Sequence, residues 1–452
     1  MRVQSNPVIK LRLHLFLLLA ASVVLLGSLV PRAAAQLSNG PIQMKIVGAE
    51  QTSPIAVSQL KNLGGDDGGK VSKDFVSILD RDLKLSGYFH LIDSAAYVED
   101  PQSSGYDIGQ FNFADWSSLN AEFLVKGSVK REGDHIALEA LLFDVGQQRR
   151  MTGRKFSGAP SDVGEMADRF ADALMESITG TRGPFASKIA FVSTRGGRFK
   201  EIYTSWSDGH GLFRVTSNPT INLFPSVDRD AAHLLYLSYK TMSPALYLVN
   251  LHAKSETRIQ PNLGMAVGGA LTPDGRIIAA FSHAGPTNLY LLDGSGGEIR
   301  ALTSNHAINV TPSVCASGGQ LAFASDRSGD PQIYVSDLSG GGARRLTYQG
   351  NYNTAPSFSP DCKKVAYESR VGGAFQIFVV NVGGGAPRQL TNQGSNEAPA
   401  WSPDSRYLAF ASRRGGASHI YMMLVADGQI TGPLTEGDGN DSNPAWSGWV
   451  GG

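Results

Sequence analysis

Four stretches of the sequence carry residue types at spacings that could do chemistry. "GGDDGGKV" sets Gly64, Gly69 and Lys70 in the order of a phosphate-binding loop, between a strand-like and a helix-like segment. Such a loop needs a serine or threonine next, because that hydroxyl binds magnesium. Val71 stands there instead, so a solvated glycine loop is the simpler reading. "EGDGNDSN" (436–443) has the oxygen content of a calcium loop but lacks the glycine at loop position six and the closing glutamate. Cys315 and Cys362 are the two cysteines. They could pair in an oxidising compartment, they cannot form a zinc site by themselves, and the sequence leaves the pairing open.

The fourth stretch is distributed. Asn222, Ala266, Asn309, Asn353, Asn396 and Asp441 recur three residues ahead of the same phrase in successive repeats. Five of these six side chains end in an amide or carboxylate oxygen. Asparagine also suits turns, so the bland reading is turn chemistry. The sharper expectation is a polar collar at one mouth of a channel, which receives a partner's side chains or weakly holds a hard cation such as calcium. On that expectation, replacing Asn309 and Asn353 with leucine weakens partner binding and leaves the fold intact. No G-x-S-x-G elbow, HExxH or CxxC is present, and the nine histidines have no ligand-like spacing.

The collar presupposes a repeat, and the sequence has one. "IAFVS", "LLYLS", "IAAFS", "LAFAS", "VAYES" and "LAFAS" begin at Ile189, Leu234, Ile278, Leu321, Val365 and Leu408, spaced 43 to 45 residues apart. An aromatic follows in each repeat, at Tyr203, Tyr247, Tyr290, Tyr334, Phe378 and Tyr421, with a spacing of 43 or 44. Apolar and polar residues alternate over short runs, and "DRSGD", "LSGGG" and "SPD" punctuate them as turns. About four strands per unit at this period predicts a β-propeller, here of six blades. One small sheet cannot bury both of its faces, so blades pack against blades around an axis. The closing phrase "NPAWSGW" matches "APAWSPD" and is expected to complete the blade opened by Ile189, leaving no free edge.

Ahead of the repeats the pattern changes. "SKDFVSILDRDLKLSG" places Phe75, Ile78, Leu79 and Leu83 on one helical face before Gly87. "DVGEMADRFADALMESITG" spaces Met166, Phe170, Leu174 and Ile178 four apart, and "AEFLVKGSVKR" and "HIALEALLFDV" read as paired strands. The fold class expected is an α/β N-terminal domain at 36–183 followed by an all-β six-bladed β-propeller at 184–452. Residues 1–35 read as a secretory signal: basic Arg2, Lys10 and Arg12, an apolar run from Leu15 to Val30, and small residues before a cut between Ala35 and Gln36. Acidic and basic residues balance at 40 each, which excludes the basic footprint of a nucleic-acid binder.

Signal, small α/β domain and propeller in this order resemble the TolB family of the Tol-Pal system. The phrases that carry the resemblance are "PSFSPDCKKVAYES", "APAWSPDSRYLAFASRRGG" and "GGAPRQLT", joined by "FNFADWSSLNAEFLVKGSV" and "ESITGTRGPFASKIAFVS". One repeat departs, with "GMAVGGALTPDG" putting Met265 and Ala266 where polar residues are expected. The resemblance implies a periplasmic, monomeric, non-catalytic protein without cofactor. It would bind the lipoprotein Pal through the propeller mouth, TolA through its mature N-terminal segment, and the outer membrane only peripherally, through Pal. Collar positions Asn222, Met265, Ala266, Asn309, Asn353, Asn396 and Asp441 would then face the partner. The rival classes are an exported propeller hydrolase or lactonase, which needs carboxylates and histidines clustered at the mouth, and a glycan-binding propeller.

Overall fold

A computed structural model describes residues 52–259, 261–339 and 341–451. The expected cleavage site at Ala35 and Gln36 and the segment Gln36–Glu50 lie outside the described residues.

The first domain is a mixed sheet in the order Phe89–Leu91, Ser53–Val57, Phe123–Glu132, His135–Asp144, Arg149–Gly158. Ser53–Val57 runs parallel to both neighbours, while the last three strands form an antiparallel meander. A parallel pair needs a crossover, and helix α1 (Lys70–Ser86) supplies it between Ser53–Val57 and Phe89–Leu91. A short α2 (Phe113–Ser117) sits in the next connection, and α3 (Val163–Thr179) follows the meander. The four-residue periodicity of the sequence is met directly: Phe75, Leu79 and Leu83 of α1 and Met166, Phe170, Leu174 and Ile178 of α3 are all buried. The Phe75 and Phe170 rings lie 6.1 Å apart. Both long helices stop at glycines in the left-handed region, Gly87 at φ 73° and Gly180 at φ 74°, where a side chain would be strained.

The glycine loop before α1 has a physical explanation. The buried Asp66 carboxylate accepts the Val71 N–H at 3.0 Å and the Ser72 N–H at 3.2 Å. Free N–H groups at a helix start attract an anion, and here the chain's own aspartate provides it.

The propeller consists of six four-stranded antiparallel sheets. Blades 1 to 5 open with inner strands Asn222–Val227, Met265–Leu271, Asn309–Val314, Asn353–Phe358 and Ser395–Trp401. The sixth, closing blade takes its inner strand, Asp441–Trp449, from the end of the described chain and its other three from Ser187–Ser193, Glu201–Trp206 and Phe213–Arg214. Asp441 pairs with Ser193 and Trp446 with Ile189, so the ring is closed as the repeated phrase predicts.

Two further devices hold neighbouring parts together. Cys315 and Cys362 form a disulfide between blades 3 and 4, with Cα atoms 5.3 Å apart. Its cross-link closes a loop of 47 residues, for which chain entropy predicts about 4 kcal/mol. The paired Cys315→Ser, Cys362→Ser variant is therefore expected to melt several degrees lower, while adding a reductant should no longer shift its thermal melt.

The second device joins the domains. One continuous hydrophobic cluster runs from Phe75, Leu83 and Phe170 into Phe191, Tyr407 and Met422 of the propeller. At its edge the Tyr407 hydroxyl donates to Ser86 O at 2.9 Å, and the Arg406 guanidinium donates to Thr179 Oγ1 and to the carbonyls of Thr181 and Arg182. The first domain thus docks at the propeller end where the inner strands finish.

Candidate propeller-mouth docking site

Each inner strand begins at the opposite end, and the predicted collar residues lie there. The structure corrects the role expected of them. Asn222, Asn309, Asn353, Asn396 and Asp441 are all 0% exposed, and Ala266 is buried. These side chains point between blades and latch each blade to the one before it. Asn222 Nδ2 donates to Lys200 O and to Glu201 Oε2; Asn309 Nδ2 donates to Thr287 O. Asn353 Nδ2 reaches Gln332 Oε1 at 2.8 Å, Asn396 Nδ2 reaches Gln376 Oε1 at 3.0 Å, and Asp441 Oδ2 lies 3.4 Å from His419 Nδ1. Glu201, Thr287, Gln332, Gln376 and His419 occupy the same place in successive blades: each pairs across strands with the serine that ends the repeated phrase.

The same geometry accounts for the departing repeat. The residue of blade 1 in that place is Ala245, paired with Ser238, and both Ala245 and Ala266 are buried. Where the asparagine is lost, its polar partner is lost with it. An apolar pair then fills the space, as burial demands of two groups that cannot satisfy each other.

The collar does not offer a complete ring of free oxygens to a cation: among the described residues, only Asn353 Oδ1 and Asp441 Oδ1 of its side-chain oxygens lack a hydrogen-bond partner. Ser238, Ser325 and Ser412 donate their hydroxyls to the amide oxygens of Asn222, Asn309 and Asn396, and Arg195 donates to Asp441 Oδ2. Replacing Asn309 and Asn353 with leucine would leave buried donors and acceptors unpaired. Loss of stability is the expected result, in place of an intact fold with weaker binding.

The surface that does face outward lies one residue earlier. Side chains alternate sides along a strand, so a shift of one position exchanges buried for exposed. Ile221 is 45% exposed, Met265 53%, Ile308 48% and Tyr352 41%. Half-buried Ser395 and exposed Asn440 complete the set. Four blades in sequence thus present an apolar side chain at one rim. Exposed Tyr239, Met242 and Tyr348 in loops, and Val371 at the end of the strand Lys364–Val371, add to the exposed apolar side chains. Large apolar side chains exposed together at one rim make it the candidate interaction surface.

A bulge shapes this rim in every blade. Phe224, Thr311, Ala355, Ala398 and Asn443 have φ between 47° and 52°, and strand pairing slips at each of them. Gly268, at φ 159°, takes that place in blade 2. Proline follows all five non-glycine residues. A strand-interior proline is a bulge signal, since it cannot donate to the ladder, and it would have located these positions. Glu368, beside the rim, accepts the Ala398 N–H at 2.7 Å. Burial pushes its carboxyl up to about 7, against the lowering effect of that hydrogen bond, so its charge changes near neutral pH.

The axial channel opens toward the first domain into a cavity of about 760 Å³, lined by the ends of all six inner strands, Trp401, Trp446 and Trp449 among them. Thr181 of the inter-domain connection also lines it.

Comparison with known proteins agrees with this architecture. A family model described as the TolB beta propeller domain matches residues 175–450, and one described as the TolB amino-terminal domain matches residues 43–151. The Tol-Pal system protein TolB of Desulfosudis oleivorans is 38% identical over 252 residues, covering 55% of this chain and 57% of that protein. The protein of the same name from Syntrophotalea carbinolica is 38% identical over 176 residues, 39% of this chain and 41% of its own. The chain thus spans about half the length of the curated relatives it matches. The crystal structure of TolB from Acinetobacter baumannii superposes with a TM-score of 0.76 at 26% identity, covering 88% of this chain and 97% of that one.

Proposed function

Because the chain belongs to the TolB family, we propose that it is the periplasmic docking protein of a Tol-Pal system, non-catalytic, binding the lipoprotein Pal at the apolar rim of its propeller. TolA is engaged through the mature N-terminal segment from Gln36, so that the protein contributes to outer-membrane integrity and invagination at division. Domain limits of 36–183 and 184–452 go with this reading, as does cleavage between Ala35 and Gln36.

The observation that carries the reading is the rim formed by Ile221, Met265, Ile308 and Tyr352. These side chains are exposed at one end of a closed scaffold, and the first domain occupies the other end. A few central apolar anchors supply most of the energy of such an interface. Their removal tests the reading without touching the latch beneath them. Ile308→Asp combined with Tyr352→Asp is expected to weaken Pal binding about 10- to 100-fold, or roughly 1–3 kcal/mol, with an unchanged thermal melt. The measurement is a pull-down from envelope extract followed by titration of purified Pal domain. Recovery of glycan without Pal, or equal binding by the double variant, would overturn it.

A further inference from the structure

Where the two domains meet lies a group of carboxylates that docking does not use. Asp82 on α1, Asp168 on α3 and Asp208 in the turn after Glu201–Trp206 are each 0% exposed. His210 completes the group, with Nδ1 2.6 Å from Asp208 Oδ1 and 3.8 Å from Asp168 Oδ1. One ligand atom from each of Asp168, Asp208 and His210 can be chosen so that all lie within 4.8 Å of one another.

Asp82 gives the second, separate indication. It comes from another helix, its carboxyl lies against that of Asp168, and among the described residues neither of its oxygens accepts from an N–H or a hydroxyl. Both oxygens of Asp168 and Oδ2 of Asp208 are likewise unpartnered. Five buried carboxylate oxygens therefore converge without donors. Arg81 offers a guanidinium 3.8 Å from Asp208 Oδ2, but it donates to the carbonyls of Asp208 and Leu434. Arg182 is paired with Asp172. Carboxylates kept this close and this dry require either shared protons or a cation among them.

We propose that Asp168, Asp208 and His210 form an inter-domain site for one divalent cation of the Mn2+ or Zn2+ class, with the buried Asp82 carboxylate as a neighbouring negative charge. Two carboxylates and one imidazole make a mixed oxygen and nitrogen set, which suits these ions better than calcium, with its preference for six to eight oxygens. Access is present: a cavity of about 410 Å³ lined by Ile78, Gly164, Trp206 and His210, among others, lies beside the group. Gly164 makes room for the imidazole, since a Cβ there would stand 2.5 Å from His210 Nε2. An ion so held ties α3 to the closing blade and fixes the first domain on the propeller.

The test uses the whole mature protein, stripped with a chelator and titrated separately with MnCl2 and ZnCl2 by calorimetry. One equivalent per chain is expected for at least one of the two ions. At about 100-fold excess over Kd the melting temperature should rise by about 3 °C. Asp168→Asn and His210→Gln should each weaken binding about tenfold or more; His210 is at the edge of the group, so its variant reports even if the aspartate variant folds poorly. Three results would overturn the proposal. Wild type could bind neither ion. Both variants could bind as wild type does, which places the ion elsewhere. Or the stripped protein could be insensitive to both ions yet gain stability as pH falls, which assigns the group to shared protons.

Discussion

A chain lacking Asp441–Gly452 is expected to lose its cooperative unfolding transition and to aggregate. That segment supplies the inner strand of the closing blade, paired from Asp441 opposite Ser193 to Trp449 opposite Ser187. It also seats two tryptophans. Trp446 packs on the main hydrophobic cluster and donates from Nε1 to Ser187 Oγ at 2.8 Å, and Trp449 Nε1 donates to Gly183 O at 2.8 Å. Both tryptophans are half-buried, so each contributes less than the about 3–5 kcal/mol of a fully buried one; with the ladder of a whole inner strand lost as well, the deficit is still large against the 5–15 kcal/mol that typically holds a domain together. The exposed edge of Ser187–Ser193 would add a template for intermolecular pairing. Calorimetric melting and size-exclusion chromatography check this. A truncated monomer that melts within a few degrees of the intact protein would show that the ring does not depend on this strand.

The second large effect is expected at the inter-blade latch. Asn396→Ala removes the donor to Gln376 Oε1 and Gln393 O and the acceptor of the Ser412 hydroxyl. Gln376→Ala leaves Asn396 and Thr391 without their common acceptor. Leaving a buried polar group unsatisfied costs about 1–3 kcal/mol, so each single change should destabilise by roughly 2–4 kcal/mol. The double change should cost less than the two together, by about 1–2 kcal/mol. The protein already contains this experiment, because Ala245 and Ala266 hold the equivalent places between blades 1 and 2. Denaturant unfolding of the four species gives the coupling energy directly. Strict additivity would mean that the pair does not act as a unit.

The sequence shows the blades because their period is long and doubly marked, by the phrase ending in serine and by the aromatic that follows it. Ring closure is legible for the same reason, in the match of "NPAWSGW" to "APAWSPD". The helices of the first domain are legible from their apolar spacing. The orientation of the collar is not. Asparagine at a strand start fits a solvent-facing turn as well as a buried latch, and the deciding fact is the partner across the blade boundary, some 20 residues back in the chain at Glu201 or Gln376. The apolar rim is hidden for a related reason: Ile221, Met265, Ile308 and Tyr352 are three different residue types, and Ser395 and Asn440 hold the same place in the other two blades, so no constant letter marks the position. Likewise the carboxylates between the domains come from three separate segments, and only folding brings Asp82, Asp168 and Asp208 together.

On the function proposed, Pal meets the propeller at the rim where the inner strands begin. Site-specific photo-cross-linking tests it most directly. A photoreactive residue is placed at Ile308 or Tyr352, and for contrast at Asp361, which lines the channel cavity at the other end. Irradiation with purified Pal domain is expected to give a cross-linked pair from Ile308 and Tyr352 and none from Asp361. Cross-linking from Asp361 alone, or from none of the three positions while Pal remains bound, would contradict the account.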